Sequence, residues 1–147
     1  MLKHLSFAVI AASVFFGAAF AKVIRVPGNY KTISDALGNA DSGDTVLVKR
    51  GVYDENVTLV MGVVLKGEDP LTTIIDGGRR GPTVMGVTES EISHFTIRNG
   101  LEGVLCENTI VMIFHENIVN RHNVGRTLQC KPGKAVAEHH VLLYFGI

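Results

Sequence analysis

The sequence predicts an all-β fold, a solenoid in which short parallel strands wind into stacked coils. From Thr45 onward, short apolar runs recur, and each is closed by Gly, Asn or Asp. The chain has 16 glycines among its 147 residues, no Trp and an aromatic share of 7%. This composition favours many short strands joined by tight turns.

The recurring runs share a period. Ile75, Ile97 and Ile118 lie 22 and 21 residues apart. Similar spacings relate two further pairs, Leu105 with Leu128 and Ile113 with Val136. A period of about 21 to 23 residues with two or three strands is one coil of a parallel β-helix, because one coil cannot bury its inward side chains alone. We therefore predict about five or six coils. An antiparallel sandwich is the alternative that composition alone permits.

The same repeat predicts a polar stack at one corner of the coils. It places Asp76, Asn99 and Asn120 at equivalent positions. Asn and Asp suit such corners because they tolerate left-handed backbone and bond to it locally.

Residues 1–21 form a predicted secretory signal peptide. Lys3 and His4 give a basic start, an apolar run follows, and Ala19 and Ala21 supply the small residues that a signal peptidase reads. The apolar run is shorter than the roughly 20 residues of a membrane-spanning helix. We expect cleavage after Ala21 and a secreted or periplasmic protein.

Residues 22–147 are expected to form one domain with a helix near its start. Thr32 can cap a helix and Asp35 follows three residues later, as in a capping box. Ile33, Ala36 and Leu37 fall on one face of this helix.

Cys106 and Cys130 are the two cysteines of the chain. The repeat brings them near each other on stacked coils, and export would place them in an oxidising compartment. They form a candidate disulfide, with two small buried thiols as the alternative.

The tail from Val141 to Ile147 resembles the start of another coil, with nothing after it to cap the stack. Because an open apolar edge tends to pair with another chain, we expect a truncated chain, or one completed by a partner or a second copy. The formal net charge is zero, which argues against nucleic acid or an acidic membrane as a partner.

Three segments carry a family resemblance: Tyr30–Val57, Gly62–Gly78 and Ser93–Gly100. They resemble the opening part of pectin methylesterases and related bacterial β-helix repeat proteins of the pectin-lyase-like superfamily. The resemblance covers residues 22–123 and implies a right-handed parallel β-helix with an N-terminal capping helix. Such motifs indicate a fold more than an activity.

The catalytic residues of that family cannot be carried over. The resemblance implies two aspartates on adjacent coils, one of them in an Asp-Phe motif, with an arginine that holds the substrate. This chain has no Asp-Phe pair and no Asp after Asp76. The absence of clustered Asp also counts against a galacturonan hydrolase. A lyase site would need a basic residue, for which Arg98 and Arg121 are the candidates.

The candidate ligand-binding residues are polar groups of the coil face and of one loop: Arg98, Arg121, Asn99, Asn120, Arg79 and Arg80. Arginine suits the carboxylate of an acidic sugar. The ordinary alternative is a set of solvated surface side chains.

Four histidines lie late in the chain: His115, His122, His139 and His140. Imidazole binds copper and zinc, but this spacing matches no compact metal motif. We predict no metal and no cofactor, and metal delivery is the lesser functional alternative.

The sequence therefore predicts an exported, non-catalytic β-helix module that binds a pectin-like polysaccharide or serves a structural role at a surface. The alternative is a pectin-active esterase or lyase with an incomplete or non-standard site. No catalytic residue is assigned.

Overall fold

The computed structural model describes residues 20–106, 112–115, 117–119, 126–130, 136–139 and 142–143, with side chains for 20–106 and 117–119. The described residues include one α-helix, α1 (Ile33–Gly38), and fifteen strands. The strands are β1 (Val23–Val26), β2 (Thr45–Val48), β3 (Gly51–Asp54), β4 (Val57–Thr58), β5 (Val64–Gly67), β6 (Thr73–Asp76), β7 (Val84–Gly86), β8 (Ser90–Ser93), β9 (Thr96–Arg98), β10 (Glu102–Cys106), β11 (Met112–His115), β12 (Ile118–Val119), β13 (Arg126–Cys130), β14 (Val136–His139) and β15 (Leu142–Leu143).

The strands form three parallel sheets. Sheet A has the order β1-β2-β5-β8-β11-β14, sheet B the order β3-β6-β9-β12-β15, and sheet C the order β4-β7-β10-β13. The chain visits the sheets in the order A, B, C and then starts again, so each circuit is one coil. The predicted parallel β-helix is confirmed. Four complete coils follow β1, and β14 and β15 come after them, slightly fewer coils than predicted.

The core consists of three inward ladders, one from each sheet. Their members are Val46, Leu65 and Ile92 in sheet A, Ile75, Ile97 and Val119 in sheet B, and Val57, Val84 and Val104 in sheet C, all at most 2% exposed. Each such side chain contributes about 1.5 to 3 kcal/mol when it leaves water. Because each ladder needs its neighbours above and below, the coils are stable only as a stack.

The pairing register differs by one residue from the predicted one at several places. Ile97 pairs with Val119 rather than Ile118, Leu128 pairs with Val104, and Val136 pairs with Met112. The coils also vary in length, since Leu65 lies 19 residues after its partner Val46 and 27 residues before its partner Ile92. Alternation of inward and outward side chains decides the register, because a one-residue slip would turn each inward residue outward.

Helix α1 covers the N-terminal end of the core. Its N-cap is Thr32, whose hydroxyl accepts from the Asp35 amide at 3.0 Å, as predicted. A second cap comes from the first coil. The Glu55 carboxylate accepts from the amides of Ile33 at 3.0 Å and Ser34 at 2.9 Å. The helix buries Ile33, Ala36 and Leu37, the predicted face.

Strand β1 is the outer edge of sheet A, and a turn closes part of that edge. The Arg25 amide donates to Oδ1 of Asn29 at 2.8 Å, and the Arg25 carbonyl accepts from the Asn29 amide at 2.9 Å. These bonds occupy backbone groups that a strand of another chain would otherwise pair with.

The turns between sheets A and B bring backbone from adjacent coils into close contact. A Cβ at Gly67 would overlap the carbonyl oxygen of His94 in the next coil. Asn117, 1% exposed, accepts from the Phe95 amide and donates to the Ile92 carbonyl, both at 2.9 Å. Its amide therefore satisfies backbone groups of the preceding coil inside the core.

The two cysteines are register partners on β10 and β13. Cys106 is fully buried and disulfide-bonded. The backbone register is therefore compatible with the candidate pair Cys106 and Cys130. Residues 1–19 of the predicted signal peptide and residues 144–147 of the tail lie outside the described residues. Within the described part, no helix combines the length and the apolar character needed to span a bilayer.

We predict that Glu55→Ala lowers the free energy of unfolding by about 1 to 2 kcal/mol, because it removes a charged cap from α1. Urea denaturation measures the change, and Glu55→Gln should cost less. The exposed Glu89→Gln serves as control. Equal stability of Glu55→Ala and the wild type would contradict this role.

We also predict that Gly67→Ala destabilises the fold by about 2 to 3 kcal/mol, because the new methyl group meets backbone rather than a movable side chain. Gly38→Ala is the matched control, since nothing lies within 4 Å of its added Cβ. Its stability should be unchanged or slightly higher. A thermal melt of both variants checks the contrast.

Candidate functional site

Charged residues from three coils meet where the strands of sheet B end. Asp54, Asp76 and Arg98 are register partners on β3, β6 and β9. Parallel stacking places equivalent positions above one another, so the three side chains form one column along the coil axis. We call them the charged column.

Asp76 is the centre of this column. Its side chain is 16% exposed, and Oδ2 accepts from Nε of Arg98 and from the side-chain Nδ2 of Asn99, both at 2.9 Å. Oδ1 accepts from the Gly78 amide at 3.1 Å. Burial by itself raises the pKa of this carboxyl group, but the bonds from Gly78, Arg98 and Asn99 lower it below its usual value. Asp76 is therefore a carboxylate near neutral pH.

Arg80 connects the loop after β6 to the first coil. Its guanidinium forms an ion pair with Asp54 and reaches the Asp54 carbonyl at 3.3 Å. Its Nε lies 3.4 Å from Oδ1 of Asn56, and the side-chain Nδ2 of Asn56 donates to the Pro82 carbonyl at 2.8 Å. Both side chains of the ion pair are more than half exposed, so solvent weakens the attraction.

Arg79 and Asn99 sit together on the corner beside the column. The Arg79 amide donates to the Asn99 carbonyl at 2.7 Å, and the two residues have φ values of 59° and 58°. Both are exposed. Among the described residues, none forms a hydrogen bond or ion pair with the Arg79 guanidinium. Arg79 thus offers a charged group that the fold itself does not use.

The outer face of sheet B lies beside the charged column. Val52, Ile74 and Thr96 are outward register partners, and Val52 is 60% exposed. Leu71, in the loop before β6, is 73% exposed. That loop is held against sheet B, because the Thr96 hydroxyl donates to the Pro70 carbonyl at 2.6 Å. The face thus combines an exposed apolar surface with a charged border.

The structure brings four of the six predicted ligand-binding residues to this corner: Arg79, Arg80, Arg98 and Asn99. Asn120 and Arg121 lie outside the described residues. The predicted polar stack is altered, since Asp76 pairs in register with Arg98 rather than Asn99. Asn99 still reaches Asp76 through its side chain. Sequence reasoning missed Asp54, although it precedes Asp76 by one 22-residue period.

The column contains two carboxylates on adjacent coils, which is the arrangement that ester hydrolysis through a carboxylate would need. However, both oxygens of Asp76 accept hydrogen bonds, and Asp54 is paired with Arg80. A nucleophile needs a free lone pair and an acid needs a proton. Asp76 holds no proton to donate, and two donors occupy its Oδ2, whereas Oδ1 keeps one lone pair beside the bond from Gly78.

No group of three His, Cys, Asp or Glu side chains within the described residues could hold a metal ion. His115 and His139 are backbone register partners on β11 and β14, but their side chains lie outside the described set, as do His122 and His140. The histidine cluster is therefore untested.

Two solved structures share this architecture. Pectin methylesterase PemA from Erwinia chrysanthemi matches with a TM-score of 0.58 and 20% sequence identity, over 74% of this chain and 44% of that chain. A pectin methylesterase in complex with a hexasaccharide matches with a TM-score of 0.56 and 19% identity, over the same shares of the two chains. No family model and no curated protein matches the sequence.

At these identities the likeness shows the fold alone, a right-handed parallel β-helix. The chain spans less than half of the length of either esterase. The predicted fold class and handedness are thereby confirmed, and the activity is not addressed.

We predict that Asp76→Asn lowers the free energy of unfolding by about 1 kcal/mol at pH 7, allowing for partial solvent screening. The folded-state pKa of Asp76 lies below its unfolded value. The stabilisation of the folded state by the Asp76 carboxylate is therefore present above a pH of about 4. It is lost as the pH falls through the pKa that Asp76 has in the folded state.

The measurement is urea denaturation of both proteins between pH 7 and pH 3. The gap between them should close toward the acid end. The exposed Glu89→Gln is the control. A gap that stays constant with pH would show that Asp76 is not stabilised as the anion.

Proposed function

We propose that this protein is an exported, non-catalytic β-helix module that binds an acidic, pectin-like polysaccharide along the outer face of sheet B. The observation that supports this most directly is the border of that face. Arg79, Arg80 and Arg98 outnumber Asp54 and Asp76 there, and the Arg79 guanidinium is not engaged by the described residues.

The shape of the face favours an extended ligand. Successive coils repeat about every 4.8 Å, so a chain that lies along the axis meets Val52 of the first coil and Ile74 of the second, whereas Thr96 of the third is buried against the loop that contains Pro70. Exposed Val52 and Leu71 supply apolar contact for sugar rings, and the arginines supply partners for uronate carboxylates. Because the site is open, we expect modest affinity that depends on contacts with several sugar units.

The state of the carboxylates argues for binding rather than turnover. Asp76 keeps its charge and its hydrogen bonds, and Asp54 is paired with Arg80. These bonds orient Arg98 and, more weakly because the pair is exposed, Arg80, which lowers the conformational cost of binding through these two side chains. In this proposal the aspartates orient Arg80 and Arg98, and these two arginines and Arg79 contact the ligand.

A pectin-active enzyme is the second candidate, and one observation favours it. Asp54 and Asp76 stand in register on adjacent coils next to Arg98. Catalysis would require the ligand to displace Arg80 from Asp54, so that the carboxylate becomes free to react. A third possibility, an accessory role in metal delivery, has no support among the described side chains.

Export is a part of the proposal that rests on the sequence of residues 1–21. The disulfide-bonded state of Cys106 is compatible with an oxidising compartment. Association through the C-terminal coil is also retained as a proposal.

We predict that de-esterified pectin retains the purified protein and that Arg79→Asn weakens this binding about threefold to tenfold, the effect of losing one charged contact. Asn is chosen because it tolerates the left-handed backbone at this position. Arg25→Asn makes the same charge change on the exposed edge of sheet A and should bind like the wild type. The measurement is affinity electrophoresis in pectin gels at low and high salt.

Methanol release and the absorbance of unsaturated products are measured in the same samples. The proposal expects salt-sensitive binding without product. Turnover that Asp54→Asn or Asp76→Asn abolishes would replace the binding module by the enzyme. Equal loss of binding in the Arg79 and Arg25 variants would remove the face of sheet B as the site.

A further inference from the structure

The backbone nitrogen of Lys22 is bound by a shielded carboxylate. It donates to Oδ1 of Asp44 at 2.9 Å, and the Lys22 carbonyl accepts from the Thr45 amide at 3.0 Å. Asp44 is only 3% exposed. On the other side of this nitrogen the chain is accessible, since Ala21 is exposed and Phe20 is 90% exposed.

Two other donors complete the surroundings of Asp44. Its Oδ2 accepts from the Asp41 amide at 2.8 Å and lies 3.2 Å from Nζ of Lys22. Nζ also lies 3.1 Å from Asp41, whose side chain is 87% exposed. The hydrogen bond from the Lys22 backbone, followed by that from the Asp41 backbone, keeps the pKa of Asp44 below its usual value despite burial.

We propose that hydrolysis of the bond between Ala21 and Lys22 creates an α-ammonium group that Asp44 binds as an ion pair, so that removal of the leader stabilises the first coil. The inference rests on the proposed export of the protein but not on polysaccharide binding. A signal peptidase and one water molecule are the reactants. The C–N bond breaks, a C–O bond forms, Ala21 leaves with a carboxylate, and the nitrogen of Lys22 gains protons.

Charge balance supports this assignment. Before cleavage, the cluster contains the carboxylates of Asp41 and Asp44 and a single cation, the side chain of Lys22. After cleavage, the α-ammonium supplies a second cation at a nitrogen that already lies within hydrogen-bond distance of Asp44. A hydrogen bond from a charged donor is roughly twice as strong as one from a neutral amide. Capture of an N-terminal amine by acceptor groups is a known mode of recognition.

Apart from the side chain of Lys22, the lining of the adjacent cleft brings no positive charge near the new ammonium group. Lys22 borders a cleft of about 460 Å³, which is also lined by Val23, Ile24, Asn29, Tyr30 and Asn39. Tyr30 is the one titratable side chain of that lining other than Lys22 itself. The cleft gives the additional protons of the ammonium group access to water.

Processing would thereby be coupled to folding. Lys22 precedes β1, the outermost strand of sheet A, and the attachment of its nitrogen to Asp44 fixes the start of that strand. A precursor that retains the leader has only the neutral amide at this place. Its first coil would be less stable, which suits a chain that must cross a membrane before it folds.

The first test is expression of the full chain with its own leader in a bacterium, followed by intact mass measurement of the exported product. The proposal expects a chain that begins at Lys22. A product that begins at any other residue, or an unprocessed one, overturns it.

The second test blocks the α-amine of that product by acetylation near pH 7, where it is more reactive than lysine side chains. Acetylation restores a neutral amide. We expect the ratio of folded to unfolded protein, measured by urea denaturation at pH 7, to fall about fivefold, as for a partly screened charged bond. In Asp44→Asn, acetylation should have little effect. Lys22→Gln keeps the α-amine and should respond like the wild type.

The pH dependence provides a measurement that does not require Asp44→Asn to fold. An ion pair raises the folded-state pKa of the α-amine above its unfolded value of about 8. The stabilisation of the folded state is then present below a pH of about 8. It is lost as the pH rises through the pKa that the α-amine has in the folded state. The folded chain should also be acetylated more slowly than the urea-unfolded chain. Equal stability of free and acetylated protein from pH 6 to pH 10 would overturn the proposal, whether or not pectin is bound.

Discussion

Parallel, in-register hydrogen bonding between successive coils is the constraint on which the rest of this structure depends. It places each residue directly beside its counterpart one coil away, whatever the length of the intervening loop. The inward positions therefore form continuous apolar ladders, such as Ile75, Ile97 and Val119, and the outward positions form columns. The same rule that builds the core also assembles the charged column, because Asp54, Asp76 and Arg98 occupy one outward position.

The first coil has no coil before it, and several side chains compensate for the missing neighbour. Glu55 binds the start of α1, the Asn29 side chain and backbone occupy the open edge of β1, and Asp44 binds the nitrogen of Lys22. Each contact satisfies a backbone group that has no partner in a neighbouring strand or within the helix. At this end of the stack, polar side chains therefore accept hydrogen bonds from backbone groups that have no neighbouring strand.

The likeness to pectin methylesterases concerns the fold. The charged column shows why two proteins can share this fold without sharing a catalytic activity. Stacking supplies neighbouring carboxylates readily, because any outward Asp that recurs at the period of the coil produces a pair. Reactivity requires in addition that the oxygens be free and that one group hold a proton. At Asp76 the surrounding donors favour the anion and occupy its oxygens, which is the environment of an anchor for arginine.

Sequence alone determined the class of fold and the helix cap at Thr32, and it named Arg79, Arg80, Arg98 and Asn99 as candidates without predicting that they meet at one corner. The reason is that apolar periodicity and turn residues are local signals that repeat from coil to coil. Tertiary structure decided the register, since loops of unequal length shift spacings and only the alternation of inward and outward side chains resolves a slip of one residue. It also decided the partners of the charges. Glu55, Asp44 and Asp54 bind donors that lie 21 to 26 residues away in the chain. No pattern in the sequence indicates which donors the folded coils will bring to them.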